Sequence, residues 1–262
     1  MQDALYIAAT GMQAQQLYVD TIANNLANVN TAGFKKSRVA FSDMVTGEAA
    51  RLNAAELQAA PLAAARGLGA GVGVARTERL FDMGDLQQTG AVLDLAIQGA
   101  GFLEVATADG GRAFSRGGHL KVNNDGQLVT ASGQVLKPGI SIPANAKNIT
   151  ISPAGQVRFT VPGHAAPVEA GQLELVRFAN PALLQAVSDG LYRATDASGE
   201  PTTARAGQDD SGVLVQGAVE TSNVKMVDEM VNLMIAQRAY GASVKVLQAA
   251  DEMLGMINTL RK

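Results

Sequence analysis

The chain opens and closes on apolar residues spaced three and four apart, and between these stretches the spacing shifts to every second residue. Near the start, Met1, Leu5, Ala8, Met12, Gln15, Val19, Ile22, Leu26 and Val29 follow in alternating steps, with Gln15 the polar interruption. A heptad seam of this kind places one narrow apolar stripe on a helix. It predicts a helix from about Asp3 to Asn28, capped by Asp3 and ended by Asn24, Asn25, Asn28, Asn30 and then Gly33. Near the end, Met226, Met230, Leu233, Gln237, Tyr240, Val244, Leu247, Asp251, Leu254 and Ile257 form a second stripe, interrupted at Gln237 and Asp251. It predicts a helix from about Asn223 to Leu260, with Thr221, Ser222 and Asn223 as N-caps and Arg261 and Lys262 where the helix dipole favours cations. The two helices would be roughly 39 and 57 Å long.

Residues 81–221 read as a β-rich domain. Leu93, Leu95 and Ile97 alternate with polar or small neighbours. His119 to Val122 and Gln127 to Thr130 flank Asn124-Asp125-Gly126, a strong hairpin signal. Ile149 and Ile151, then Val157, Phe159 and Val161, flank Ser152-Pro153-Ala154-Gly155, a second hairpin. Leu173, Leu175 and Phe178 suggest a further strand. Short strands at this spacing indicate an antiparallel sandwich or barrel-like domain. Residues 34–80 are less regular. Ala49 to Arg66 is Ala-rich and compatible with helix or extended chain, and Gly67, Gly69, Gly71 and Gly73 alternate in a flexible or closely packed stretch.

The expected architecture is therefore α+β. Residues 1–33 and 222–262 supply terminal helices that form a coiled-coil layer, 34–80 connect, and 81–221 form a central, mostly antiparallel β domain. A helix cannot bury its own stripe, so each end of the chain needs a partner. Pairing of the two helices, parallel or antiparallel, is one solution; docking of both on the β domain of a monomer is the other. The stripes are narrower than the face of a helix that lies on a sheet. Both helices also carry small residues off the seam, Ala8, Ala9, Gly11 and Ala14 in one and Ala239, Gly241, Ala242 and Gly255 in the other. A mid-helix Gly costs roughly 1 kcal/mol against Ala, which close approach by another chain can offset.

Composition narrows the function classes. The 262 residues are 47% hydrophobic but only 4% aromatic, with 28 Gly and no Trp, so small aliphatic side chains and close backbone approach must build the core. The net charge is −3 and no basic run of five exists, which argues against nucleic-acid binding. No Cys is present, which removes disulfides, thiol nucleophiles and Cys-ligated zinc. No apolar run approaches the roughly 20 residues of a membrane span. The first basic residue is Lys35, so there is no positive n-region and a secretory signal peptide is not expected; a protein of this kind that left the cytoplasm would take another route. His119 and His164 read as surface residues beside hairpins, and Asp209 and Asp210 as solvated carboxylates. Asn123-Asn124-Asp125-Gly126 lacks the acidic residue that closes a calcium loop and reads as a turn. No catalytic or nucleotide-binding motif appears, and neither cofactor nor metal nor small-molecule substrate is expected.

Four blocks carry a resemblance. Asn24-Asn25-Leu26-Ala27-Asn28-Val29-Asn30-Thr31-Ala32-Gly33-Phe34-Lys35 resembles the N-terminal signature of flagellar rod and hook proteins. Leu95 to Phe102, with Gly99 and Gly101, resembles the opening of their β domain. Gln216 to Val224 resembles the segment before their C-terminal helix, and Gln237-Arg238-Ala239-Tyr240 a patch within it. The blocks lie in family order and span nearly the whole chain. The length, and residues 44–79 in the place of an extra segment, are most similar to the distal-rod members; here that segment is richer in Ala. The resemblance implies an exported structural subunit that builds a helical homopolymer and acts as a drive shaft across the periplasm in the basal body. It implies contacts with other rod and hook subunits, surrounding ring proteins and the export apparatus. On this reading Leu5, Met12, Val19, Ile22, Leu26, Met230, Leu233, Tyr240, Val244, Leu247, Leu254 and Ile257 form the assembly interface. The alternatives are a proximal rod or short hook subunit, a secreted β-rich adhesin or enzyme, and a tube protein of a phage-like injection machine.

Overall fold

The computed structural model describes residues 2–45, 69–107, 109–162, 166–208 and 210–260. Ala49 to Arg66, His164 and Asp209 lie outside the described residues. The chain divides into two compact units, one of residues 1–27, 37–78 and 225–262, the other of residues 28–36 and 79–224. Among the described residues both terminal segments are helical and the remainder is β, an α+β architecture.

The first unit holds α1 (Gln2–Ala27), β1 (Ser37–Val45), β2 (Gly69–Arg79) and α2 (Met226–Leu260). The helices pack on one another and α1 packs on β1, where Tyr18 meets Phe41 edge-on with ring centroids 5.8 Å apart. The helices run antiparallel: Asn25 meets Glu229, while Gly11 lies against Ser243. Ala8, Ala14, Ala236 and Ala250 are buried, so much of the contact is made by small side chains that let backbones approach. α1 starts at Gln2, which puts Asp3 inside the first turn rather than before it. α2 starts at Met226, three residues after Asn223, because the Asn223 side chain is engaged elsewhere, as described below.

β1 and β2 pair with each other, so the segment that reads as irregular contains two long strands. The glycines of β2 let other segments approach closely. Gly71 has φ +112°, and a methyl group added there would overlap Thr10 Oγ1 and stand 3.5 Å from Ile7 Cα. We expect Gly71→Ala to destabilise this unit by about 1–3 kcal/mol, since strain and overlap add. Gly73→Ala, at an ordinary φ and with Met44 Cγ at 3.4 Å, should cost far less. Amide exchange along α1 in the two variants checks the difference.

The second unit is β. Its strands are β3 (Leu86–Gln88), β4 (Asp94–Gln98), β5 (Phe102–Ala106), β6 (Arg112–Ser115), β7 (Gly117–Val122), β8 (Leu128–Thr130), β9 (Val135–Lys137), β10 (Lys147–Ile151), β11 (Gln156–Thr160), β12 (Val168–Gln172), β13 (Glu174–Arg177), β14 (Gln185–Ala186), β15 (Leu191–Arg193), β16 (Thr202–Arg205), β17 (Val213–Gln216) and β18 (Ala218–Glu220). The main sheet runs β14-β15-β6-β5-β9-β8-β7-β4-β17, with β13 joining β5 to β16. β10-β11-β12 form a second sheet and β18-β3 a third. Both hairpins form where the turn residues lie: Val122 pairs with Leu128 across Asn124-Asp125-Gly126, and Ile151 with Val157 across Ser152 to Gly155. Asn123 Oδ1 accepts the Asp125 and Gln127 N–H groups at 3.0 and 2.8 Å, so the Asn-rich run is a turn that satisfies its own backbone.

The main core gathers Leu95, Ile97, Leu103, Val105, Leu128, Leu136, Ile140, Ile142, Leu173 and Leu175. A second cluster is aromatic: Phe102, Phe114 and Tyr192, with Phe81 and Phe178 packed against it, make edge-on contacts at 4.8–5.9 Å. Five of the chain's few aromatic rings are thus spent at one place, beside the segments that bring the chain into and out of this unit.

Candidate assembly surface

In the β unit, the entering segment (residues 28–36) lies beside the leaving one (residues 217–224). Gly33, at φ +70°, donates its N–H to the Glu220 carbonyl at 2.7 Å, and the Asn223 N–H reaches the Phe34 carbonyl at 3.4 Å. The Asn223 side chain accepts the Lys36 N–H at 2.8 Å and donates to the carbonyls of Leu80 and Asp82 at 2.8 and 3.2 Å. Beneath them lies a buried ionic junction. Lys35 Nζ, fully buried, donates to Glu220 Oε1 and the Asp82 carbonyl, both at 2.6 Å. Arg116, 3% exposed, donates through Nε and Nη2 to Glu220 Oε2 at 3.3 and 3.2 Å, and through Nη1 to the carbonyls of Gly99 and Gly101 at 2.9 and 2.6 Å. The Gly84 N–H completes the Glu220 shell at 2.9 Å.

Two cations therefore share one carboxylate. Burial pushes the Lys35 amine below the ordinary lysine value, and nearby Arg116 adds to the effect while Glu220 opposes it. Around this junction Arg79 lies over the rings of Phe34 and Tyr192, 5.7 and 5.8 Å from their centroids. A side chain on Gly99 (φ +116°) would press on the Gly212 backbone, so the glycines bring their carbonyls within reach of Arg116.

In the helical unit, buried Asn25 clamps β1. Its Oδ1 accepts the Ser37 N–H and its Nδ2 donates to the Ser37 carbonyl, both at 2.9 Å, while Nδ2 also reaches Glu229 Oε2 at 3.3 Å. The outward side of α2 is strongly apolar: Met226, Val227, Met230, Val231, Met234, Ile235 and Val246 are all exposed. α1 exposes Tyr6, Ile7 and Leu17. Monomeric proteins seldom expose so long an apolar face without a partner for it.

Three family models match in chain order. Residues 5–35 match "Flagella basal body rod protein", 96–159 the "Flagellar hook protein FlgE/F/G D1 domain", and 215–260 "Flagellar basal body rod FlgEFG protein C-terminal". The chain is 41% identical over 266 residues to "Flagellar basal-body rod protein FlgG" of Borreliella burgdorferi, covering all of both chains. It is 40% identical to the proteins of that name from Buchnera aphidicola subsp. Baizongia pistaciae and Caulobacter vibrioides, over 99% and 98% of this chain and 100% and 99% of theirs. This chain belongs to the flagellar basal-body rod protein family.

The residues whose pattern resembles the family signature have definite places in the structure. Asn25, Gly33, Phe34, Gly99, Gly101 and Phe102 belong to the contacts just described, and Asn28 Oδ1 accepts the Thr31 hydroxyl at 3.2 Å. Leu26 is half-buried at the end of α1, and Asn24 lies exposed on its surface. Gln237, Arg238 and Tyr240 are exposed on α2. Of the expected interface residues, Ile22 is buried, Leu5, Met12, Val19, Leu233, Val244 and Leu247 are half-buried, and Met230 is 51% exposed. The side chains of Leu254 and Ile257 lie outside the described ones. Lys35 stands in the signature block, yet neither its burial nor the roles of Arg116 and Glu220 follow from spacing, because the charges are 104 and 185 residues apart. His119 Nδ1 lies 2.7 Å from Oδ1 of the buried Asp94, where β4 pairs with β7, with the ring more than half exposed.

Proposed function

We propose that this chain is a structural subunit of the flagellar distal rod. It polymerises into a helical tube that serves as a drive shaft across the periplasm and contacts other rod and hook subunits, the encircling ring proteins and the export apparatus. It leaves the cytoplasm through that apparatus and performs no catalysis. The helices α1 and α2 act as a coiled-coil layer lining the tube. The observation that carries this reading is the exposed apolar side of α2, on a chain whose full-length relatives are named as rod proteins.

Physical bookkeeping supports assembly. Ordering one residue costs roughly 1–2 kcal/mol of backbone entropy, so terminal helices need burial of their apolar sides at about 25 cal/mol per Å² to hold their place. Subunits that meet head-to-tail through two different patches build open helical filaments when the rotation between them does not close a ring. Met230→Asp and Ile235→Asp, both at exposed positions, should leave the monomer's melting temperature unchanged and abolish filaments seen by negative-stain microscopy. Filaments of wild-type length from both variants would overturn the assignment of this face.

A further inference from the structure

Resting on that reading, we infer that Met226, Met230 and Met234 form an oxidation site that switches assembly off: as sulfoxides they leave the monomer folded and bar it from the filament. The three stand four residues apart on α2. Each such step turns the helix roughly 40° past a full circle and climbs about 6 Å, so the thioethers form one row. They are 48%, 51% and 53% exposed. Val227, Val231 and Ile235 form the neighbouring row and are exposed as well. The start of α2 thus presents to solvent a strip of thioethers and branched aliphatic side chains. The buried Glu229 and Ala236 lie on the opposite side of the helix.

The chain has nine Met and neither Cys nor Trp, so the thioethers are its most readily oxidised side chains. With hypochlorous acid the overall reaction forms an S–O bond and breaks the O–Cl bond. The sulfur gives up two electrons, chlorine takes them and leaves as chloride, and one proton goes to water. Methionine sulfoxide reductases reverse the change, one enzyme for each sulfoxide epimer. Two thiols become a disulfide and the oxygen leaves as water.

A sulfoxide oxygen accepts hydrogen bonds and has none to give. On the exposed strip water satisfies it, so the monomer keeps its fold. In a dry apolar contact nothing does, and each such oxygen weakens the contact by a factor of roughly ten. A row of three places these losses on one face, which is what makes the strip a switch rather than a scatter of lesions. Met44, Met83, Met253 and Met256 are exposed too and oxidise under the same conditions. Met83, in the β unit and 49% exposed, is therefore an internal reference.

The test uses the full-length chain, partly oxidised with limiting hypochlorous acid and offered to isotopically labelled seeds of sheared filaments. Mass spectrometry then reads the sulfoxide at each Met in the new filament and in the chain left in solution. The filament should be depleted about tenfold or more at Met226, Met230 and Met234, while Met83 divides evenly. A triple variant, Met226→Leu with Met230→Leu and Met234→Leu, keeps the volume of the strip and loses its sulfurs. Oxidising all the exposed Met should raise the wild type's critical concentration for elongation about 100-fold or more and leave its circular dichroism unchanged. The triple variant should elongate as before, and the reductase pair with dithiothreitol should restore the wild type. Even partition at the three positions, normal elongation of the oxidised wild type, or equal loss in the triple variant overturns the proposal, while filaments of the unoxidised chain leave the rod reading intact. An unoxidised wild type that never elongates from seeds sinks both.

Discussion

Glu220→Gln is expected to be the most damaging conservative substitution in the β unit, lowering its stability by about 3–5 kcal/mol, because two buried cations lose their shared counter-charge. Lys35→Met should cost about 1 kcal/mol or less. Arg116 still balances Glu220, and the Asp82 carbonyl keeps the Asn223 amide as donor. Urea denaturation followed by circular dichroism separates the two. Equal losses would mean that charge balance is not what the junction supplies. The wild type has a pH signature as well. The folded protein holds the Lys35 amine below the ordinary value of 10.5, so in the window between the two values the unfolded chain binds the extra proton. Stability therefore rises with pH across that window, and Lys35→Met should flatten this part of the profile.

Asn25→Asp is the second large effect, about 2–4 kcal/mol in the helical unit. The new carboxylate can still accept the Ser37 N–H. Its other oxygen, however, would face the Ser37 carbonyl and Glu229, both of which accept from the amide in the native protein. The prediction is specific to charge: Glu229→Gln should restore a large part of the loss in the double variant. Failure of that rescue would leave the Ser37 clamp alone responsible. Thermal melts of the four proteins in the cycle decide it.

The helices were legible because their seams repeat over many turns, and the hairpins because Asn-Asp-Gly and Ser-Pro-Ala-Gly state their turns outright. The buried side of α2 was harder to read. Ala236, Ser243 and Ala250 lie on it, and small residues score weakly in an apolar stripe although close backbones favour them. β2 escaped notice because its alternate glycines give a strand no side-chain rhythm; α1, pressed against Gly71, explains them. The ionic junction was invisible for another reason. Nothing in the spacing of Lys35, Arg116 and Glu220 marks them as partners, and only the closure of the β unit puts them beside one another. The signature block pointed to the right neighbourhood, since Gly33, Phe34 and Lys35 all end there, without saying what the neighbourhood does.

The adjacency of Leu80 and Asp82 to Asn223, whose side chain donates to both carbonyls, has a consequence for how such a chain can change. Residues 79–224 begin and end at one spot and form a self-contained insert: what lies between its two stems can grow, shrink or be exchanged without altering the separation of the stems. Selection on the β unit and selection on the helices can then proceed separately, provided that Glu220 keeps its two cations and Gly33 its turn.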